Sequence, residues 1–331
     1  MLGLNAESSF EKFLFTLVPK QLPILYLEAY SSLVQKTKTV RWPKNPKLIL
    51  TGSSYISDDF FKIWAADKIE DKSRLIIWQH GGYYGTRQSL TTHEHEKAIA
   101  DNFFSWGWKD PNCSKAKALP AGKLLNAAAN IKADSKGGLL LIQNSHARYS
   151  SIIEGHPMAS QYEGYFDEQV RFVENLTPSI RKKLLIRTYF IDFGWDQAKR
   201  WQEKFPDISF DKKNQSLTRS INQNRLIVST YNATCFMETF AANVPTVMYW
   251  NVKLCWEIHE LAQPYFDRLH KVGIFHKTPE SAAAHIELIW NDVEAWWKQE
   301  ETQRARKDFC KQFCLTSPNW LTQWRKAVQN S

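Results

Sequence analysis

The stretch from Arg225 to Trp250, RLIVSTYNATCFMETFAANVPTVMYW, constrains the fold more than any other, because it supplies strand, polar turn, helix and strand in immediate succession. Leu226-Ile227-Val228 is a short apolar, β-branched run of the kind that forms a parallel strand covered on both faces. Ser229 and Thr230 end it. Asn232 or Thr234 is placed to cap the helix that follows, Phe236, Met237 and Phe240 make its apolar stripe, and Asn243 and Pro245 stop it before Thr246-Val247-Met248 starts the next strand. In such a unit the turn lies at the carboxyl edge of the sheet, where the amides of a helix N-terminus attract anions such as a diphosphate. Ser229, Thr230, Asn232 and Thr234 are therefore candidate binding residues. Glu238, one turn beyond Thr234 on the same helix face, is either an acceptor for sugar or ribose hydroxyls or a solvated surface glutamate.

A second polar turn follows the apolar run Arg74-Leu-Ile-Ile-Trp78, in the loop Gln79-His80-Gly81-Gly82-Tyr83-Tyr84-Gly85. Gly81, Gly82 and Gly85 permit positive φ and close approach of the backbone to a ligand. His80 stands at the strand's carboxyl end, suited to general-base work or to donation toward a phosphate or carboxylate, or simply to a tight turn. The spacing is not that of a P-loop. His93-Glu94-His95-Glu96 then opens a helix, without the i, i+4 histidines of a zinc helix and without a third ligand, so no metal site is expected. Glu96 is kept as a candidate acid or base because its helix should start beside the glycine loop.

Further along, Leu139 to Ile142 leads into the polar turn Gln143 to Tyr149, and Leu184-Leu185-Ile186 delivers Arg187 and Asp192. Arg187 can pair with a donor phosphate; Asp192 is a nucleophile, a general base or Arg187's ion-pair partner. Residues 7 to 36 predict two helices separated by Pro19 and Pro23, residues 109 to 137 a polar connector, and residues 254 to 269 and 279 to 297 amphipathic helices before a charged helical tail. Short buried strands interleaved with helices argue for doubly wound α/β sheets.

The chain has 331 residues, enough for two lobes, and its net charge of +9 favours anionic partners. No nucleic-acid-binding signature accompanies that charge. Five scattered cysteines do not suggest a disulfide framework. Most of the 14 tryptophans are expected in the core. Neither a signal peptide nor a membrane-spanning run is visible, so a cytoplasmic location is expected, with peripheral contact to inner-membrane lipids or assembly partners left open.

Taken together, LPxxYLE at Leu22 to Glu28, QHGGYYG at Gln79 to Gly85, the HE pair, WGW at Trp106 to Trp108, RTYFIDFGW at Arg187 to Trp195, the central unit and GIFHKTPESAAAHI at Gly273 to Ile286 resemble the O-antigen and surface-polysaccharide transferases. The resemblance implies a GT-B-like glycosyltransferase, with two Rossmann-like lobes with parallel sheets and a helical C-terminal tail; this sequence departs from it in showing only two or three strands ahead of the connector, so a reduced N-terminal lobe is expected. It implies an acceptor-side lobe over residues 1–130, a donor lobe over 138–300 and a tail over 301–331. Donor contacts would then fall to Arg187, Ser229, Thr230, Asn232, Thr234 and Glu238, and chemistry to Asp192, His80 and Glu96. No cofactor or metal is implied, only a nucleotide-sugar donor and a glycan or lipid-linked acceptor. A weaker similarity to retaining β-Kdo transferases points to a CMP-Kdo-type donor with Asp192 as nucleophile. The alternatives are a CDP-polyol phosphotransferase and a non-catalytic scaffold of a polysaccharide assembly complex.

Overall fold

A computed structural model describes residues 6–88, 90–149, 157–158, 160–212 and 214–331. The chain divides into two compact units, Met1–Ile76 and Ile77–Ser331, with the division falling inside a β-strand.

In the first unit, helices α1 (Ser9–Gln21) and α2 (Tyr30–Thr37) flank a 3-10 turn at Ile24–Tyr26. A capping box starts α1: the Glu11 amide donates to Ser8 Oγ at 3.2 Å and the Ser8 amide to Glu11 Oε2 at 2.9 Å. Yet α1 buries none of its residues. Strand β1 (Leu48–Thr51), helices α3 (Ser54–Ser57) and α4 (Asp59–Glu70) and the first part of β2 (Arg74–Trp78) complete the unit. Asp58 caps α4 by accepting from the Phe61 amide at 3.0 Å, and α4 packs on α2. Tyr26 anchors the 3-10 turn through a hydrogen bond to Asp59, which also meets Lys62 Nζ at 2.9 Å. Trp42, Phe61 and Trp64 form an aromatic cluster with centroids 5.2 to 6.2 Å apart.

The second unit opens with the end of β2 and continues through α5 (Thr91–Ile99), β3 (Asn102–Ser105), β4 (Ala116–Ala118) and α6 (Gly122–Asn130). Strand β3 pairs with β4 in parallel. Residues 109 to 137 are thus more than a connector. The physical reason is that Leu124 and Ala127 give α6 one buried face, which the Lys- and Ala-rich composition hides. Among the described residues three strands, β1 to β3, precede residue 109, within the two or three expected, and β4 lies inside the connector itself.

Beyond these come β5 (Gly138–Ile142), α7 (Gln161–Glu174), α8 (Pro178–Arg181), β6 (Leu184–Arg187), α9 (Gln197–Lys204), β7 (Ser209–Phe210), α10 (Leu217–Ile221) and β8 (Asn224–Ser229). Then follow α11 (Thr234–Ala241), β9 (Thr246–Tyr249), α12 (Gln263–Lys271), β10 (Phe275–His276), α13 (Pro279–Ile289), α14 (Val293–Lys298), α15 (Glu300–Phe313) and α16 (Trp320–Gln329). The helix expected from 254 begins only at Gln263, because Trp256 takes a left-handed φ of +60° that no helix continues through.

Strands β5 to β10 form one six-stranded parallel sheet of order β10-β9-β8-β5-β6-β7. Starting at β5, the chain builds outward to β7, then crosses back to lay β8 on the other side of β5 and builds outward again. This is the Rossmann order. Leu139 to Leu141, Ile186, Leu226 to Val228, Val247 and Met248 are all buried, as strands covered by helices on both faces must be. Trp106, Trp108, Trp195, Trp250 and Trp256 are buried too.

Candidate active site

In an open α/β sheet the ligand crevice lies outside the carboxyl ends of the strands where the order reverses, here between β5 and β8. The residues that leave those two strands are Gln143 to His146 and Thr230 to Asn232. A directed chain of hydrogen bonds ties them together. The Asn144 amide donates to the Tyr165 hydroxyl at 2.8 Å, Tyr165 donates to Thr230 Oγ1 at 2.6 Å, and Thr230 donates to the Ile142 carbonyl at 2.9 Å. Every hydroxyl in the chain has its donor and acceptor filled, so it holds the strand ends in fixed separation. Burial pushes the Tyr165 phenol far up, keeping it neutral.

Thr230 therefore works inward, and its neighbours do the same. Ser229 is buried, with Oγ donating to the Tyr231 carbonyl at 3.2 Å and lying 3.1 Å from Cys235 Sγ, a thiol that burial pushes up to about 11. Asn232 is buried against the glycine loop, accepting from Thr86 Oγ1 at 3.1 Å. Neither Asn232 nor Thr234 caps α11. The N-cap position is Ala233, which has no capping side chain, so the first-turn amides of α11 receive no side-chain acceptor from that position.

The glycine loop packs directly on this helix start. The Gly82 amide donates to Thr234 Oγ1 at 2.9 Å, and a Cβ at Gly82 would stand 2.7 Å from Thr234 Cα and 2.8 Å from its amide nitrogen. Only glycine fits there. Buried Gln79 fixes the loop from behind. Its Oε1 accepts from the Trp106 amide at 2.8 Å and Trp108 Nε1 at 3.0 Å, while its Nε2 donates to the Gly81 carbonyl at 2.7 Å. Gly85 has φ +69° and its Cα abuts the Trp108 ring, where a Cβ would come within 2.8 Å.

His80 and Glu96, named separately from the sequence, are joined by Tyr84. Tyr84 donates to Glu96 Oε1 at 2.7 Å and lies 3.0 Å from His80 Nδ1, while Tyr83 meets His80 Nε2 at 2.9 Å. With Glu96 ionised, the Tyr84 proton is committed to the carboxylate. Tyr84 can then only accept from His80, which places the imidazole proton on Nδ1 and leaves Nε2 as the basic nitrogen. Glu96 is fully buried and the His80 side chain is 26% exposed, so the carboxyl end of this relay lies inside and the imidazole end nearer the surface.

Arg187 and Asp192 do not pair. Arg187 makes an ion pair with Asp211, donates to Ser220 Oγ at 2.8 Å and to the Gln215 carbonyl at 3.0 Å. Asp192 is exposed, and its two carboxylate oxygens accept from the Asp196 and Gln197 amides at 2.8 Å each, at the entrance of α9. Glu238 faces Lys123 Nζ at 3.5 Å on α6, and burial raises its carboxyl above the ordinary value. These three side chains are thus engaged with the protein itself.

Residues of the turn Gln143 to Tyr149, which the sequence offered as a polar turn without naming a role for any of them, stand at the crevice. Asn144 Nδ2 donates to His146 Nε2 at 2.9 Å, and the His146 carbonyl accepts from Trp195 Nε1 at 2.8 Å. Trp195 stacks on Tyr162 at 4.1 Å, with the Arg148 guanidinium 5.7 Å from its ring. The available signal was the polar turn after Leu139 to Ile142, whose value depends on β5 being central.

A model of the LIC12162 family transferases matches residues 2–328. The chain belongs to that family. No curated protein matches its sequence. Among solved structures, TarM is similar over 90% of this chain and 58% of its own length at 10% identity, with a TM-score of 0.53. This chain thus spans less than two thirds of TarM. Acinetobacter baumannii MurG is similar over 92% of this chain and 78% of its own at 14% identity, with a TM-score of 0.48. A Listeria monocytogenes protein described as a UDP-N-acetylglucosamine 2-epimerase covers 92% and 78% at 11% identity, with a TM-score of 0.49. The likeness to TarM is one of fold. The expected GT-B-like α/β architecture with C-terminal helices is present, and the protein is an enzyme of a transferase family.

Proposed function

We propose that this transferase moves a sugar from a nucleotide-sugar donor to a hydroxyl of a glycan or lipid-linked acceptor in bacterial surface-polysaccharide assembly, of the O-antigen or capsule kind. The observation that carries the reading is the seating of a histidine relay, His80–Tyr84–Glu96, on a glycine loop bonded to the uncapped start of α11. The donor phosphates are met by the first-turn amides of α11, with no metal required for that contact. His80 Nε2 accepts the proton of the incoming hydroxyl, displacing Tyr83. The hydroxyl oxygen bonds to the anomeric carbon, and the bond from that carbon to the phosphate oxygen breaks. Glu96, acting through Tyr84, steadies the charge gained by the imidazole. A CMP-linked ulosonic donor is the narrower form of this reading, and peripheral contact with the inner face of the membrane fits a lipid-linked acceptor.

Turnover by a His80→Ala variant tests it. Loss of a positioned general base lowers the rate by about 10²–10⁴. Stabilisation by the donor nucleotide, scored by thermal shift against CMP, CDP, UDP, GDP and ADP, should persist. Full turnover without His80 would remove the relay from the chemistry. A shift with CDP accompanied by release of CMP would indicate polyol-phosphate transfer instead.

A further inference from the structure

Helix α1 buries none of its residues, and with the turn after it presents an exposed apolar surface among the described residues. Phe10, Phe13, Leu14, Leu17 and Val18 recur at the i, i+3, i+4, i+7, i+8 spacing of one helix face. Phe10 is 66% exposed, Phe13 57% and Ile24 in the following turn 69%. A capping box and a full 13 residues of helix are spent on an element that contributes no residue to the core. The same segment is strongly basic: between residues 7 and 47 there are seven Lys and Arg against three Glu, so it holds +4 of the chain's +9. Lys12, Lys20, Lys36, Lys38, Arg41 and Lys44 are all exposed.

We propose that this face docks on an anionic lipid surface, with the phenylalanines of α1 and Ile24 entering the headgroup boundary and the lysines meeting lipid phosphates. The charge decides among the possible occupants. A second copy would bring net positive charge against net positive charge, whereas an anionic bilayer complements both the apolar stripe and the cations. No helix among the described residues is long and apolar enough to cross a membrane, and in-plane seating of an amphipathic helix requires no such length. The inference does not depend on which donor the enzyme uses.

The test is co-sedimentation of the full chain with vesicles of phosphatidylcholine alone and of phosphatidylcholine with about 30% phosphatidylglycerol. Binding should be at least about tenfold stronger on the anionic vesicles and should fall about as much when salt is raised to shorten the screening length. The triple variant Phe10→Ser/Phe13→Ser/Ile24→Ser should lose binding with an unchanged melting temperature, since these side chains are outside the core. Lys36→Glu/Lys38→Glu/Lys44→Glu should lose the preference for phosphatidylglycerol. Equal sedimentation with and without vesicles by a folded, monodisperse protein overturns the proposal. So does a dimer in light scattering that the Phe10/Phe13/Ile24 variant converts to monomer, since the face would then be covered by a second copy.

Discussion

The amide of Gly82 donates to the hydroxyl of Thr234 at 2.9 Å across 152 positions of sequence, and this bond joins the glycine loop to the helix start that would hold the donor phosphates. Gly82→Ala drives a methyl into the Thr234 backbone, which cannot swing aside as a side-chain tip could. We expect a loss of about 1–3 kcal/mol in urea denaturation, the usual cost of forcing a methyl into a packed site. Nucleotide-induced stabilisation should disappear with it. Thr234→Ser should retain both properties, and Thr234→Ala should lose about 1 kcal/mol.

Tyr84→Phe separates the relay from simple packing. The ring, stacked in the native chain on Tyr83 at 4.9 Å and on Phe103 at 5.6 Å, keeps its packing, but the hydroxyl that joins His80 to Glu96 is gone. Turnover is expected to fall by about 10–100-fold at unchanged donor affinity, the signature of an interaction made mainly in the transition state. A variant with wild-type kcat would show that Glu96 has no part in the chemistry.

Asp192→Asn discriminates a helix-entrance residue from a nucleophile. Asparagine replaces aspartate at such positions with little loss, so stability should change by less than about 0.5 kcal/mol and turnover should stay within about threefold. Asp192→Ala should cost about 1 kcal/mol. A fall below detection in the Asn variant, with fold intact, would make the carboxylate the attacking group.

Acid sensitivity has two named sources. Burial pulls both His93 and His276 down to about 4 from 6.5, with Lys97 adding to the effect at His93. Both histidines are held neutral in the native state, so the unfolded chain binds more protons between these values. Their contribution is whole above pH 6.5 and drains away as the pH falls toward 4, by at most about 3 kcal/mol for each. Urea midpoints measured from pH 7.5 to 4.5 should drop more steeply for the wild type than for His93→Phe. Parallel curves would assign the sensitivity elsewhere.

Much of the fold was legible because buried parallel strands announce themselves: the runs at Arg74–Trp78, Leu139–Ile142 and Leu226–Val228 lie in β2, β5 and β8. Lateral order was not. Arg187 ends β6 and Asp211 follows β7, and parallel pairing brings them together across 24 positions, while Asp192, only five away in sequence, turns to α9. The same gap hid the crevice. Thr230 looked like a ligand residue because it ends a strand, but its partners Ile142 and Tyr165 come from elements that only strand order makes adjacent. His80 and Glu96 were readable singly, each by its position at a strand end or helix start. Tyr84, which couples them, carried no signal of its own.

The Rossmann order also sets when the enzyme can come into being on the ribosome. Strands β5, β6 and β7 follow one another and can assemble as they emerge, but the central pairing of β5 with β8 sets Ile142 opposite Ser229, which is made only after β6 and β7. Until β8 is synthesised, β5 presents an unpaired, wholly apolar edge, a template for mispairing with another chain. The crevice and the greatest exposure to aggregation therefore share one origin, and a slowing of synthesis just before Asn224 would prolong the second without advancing the first.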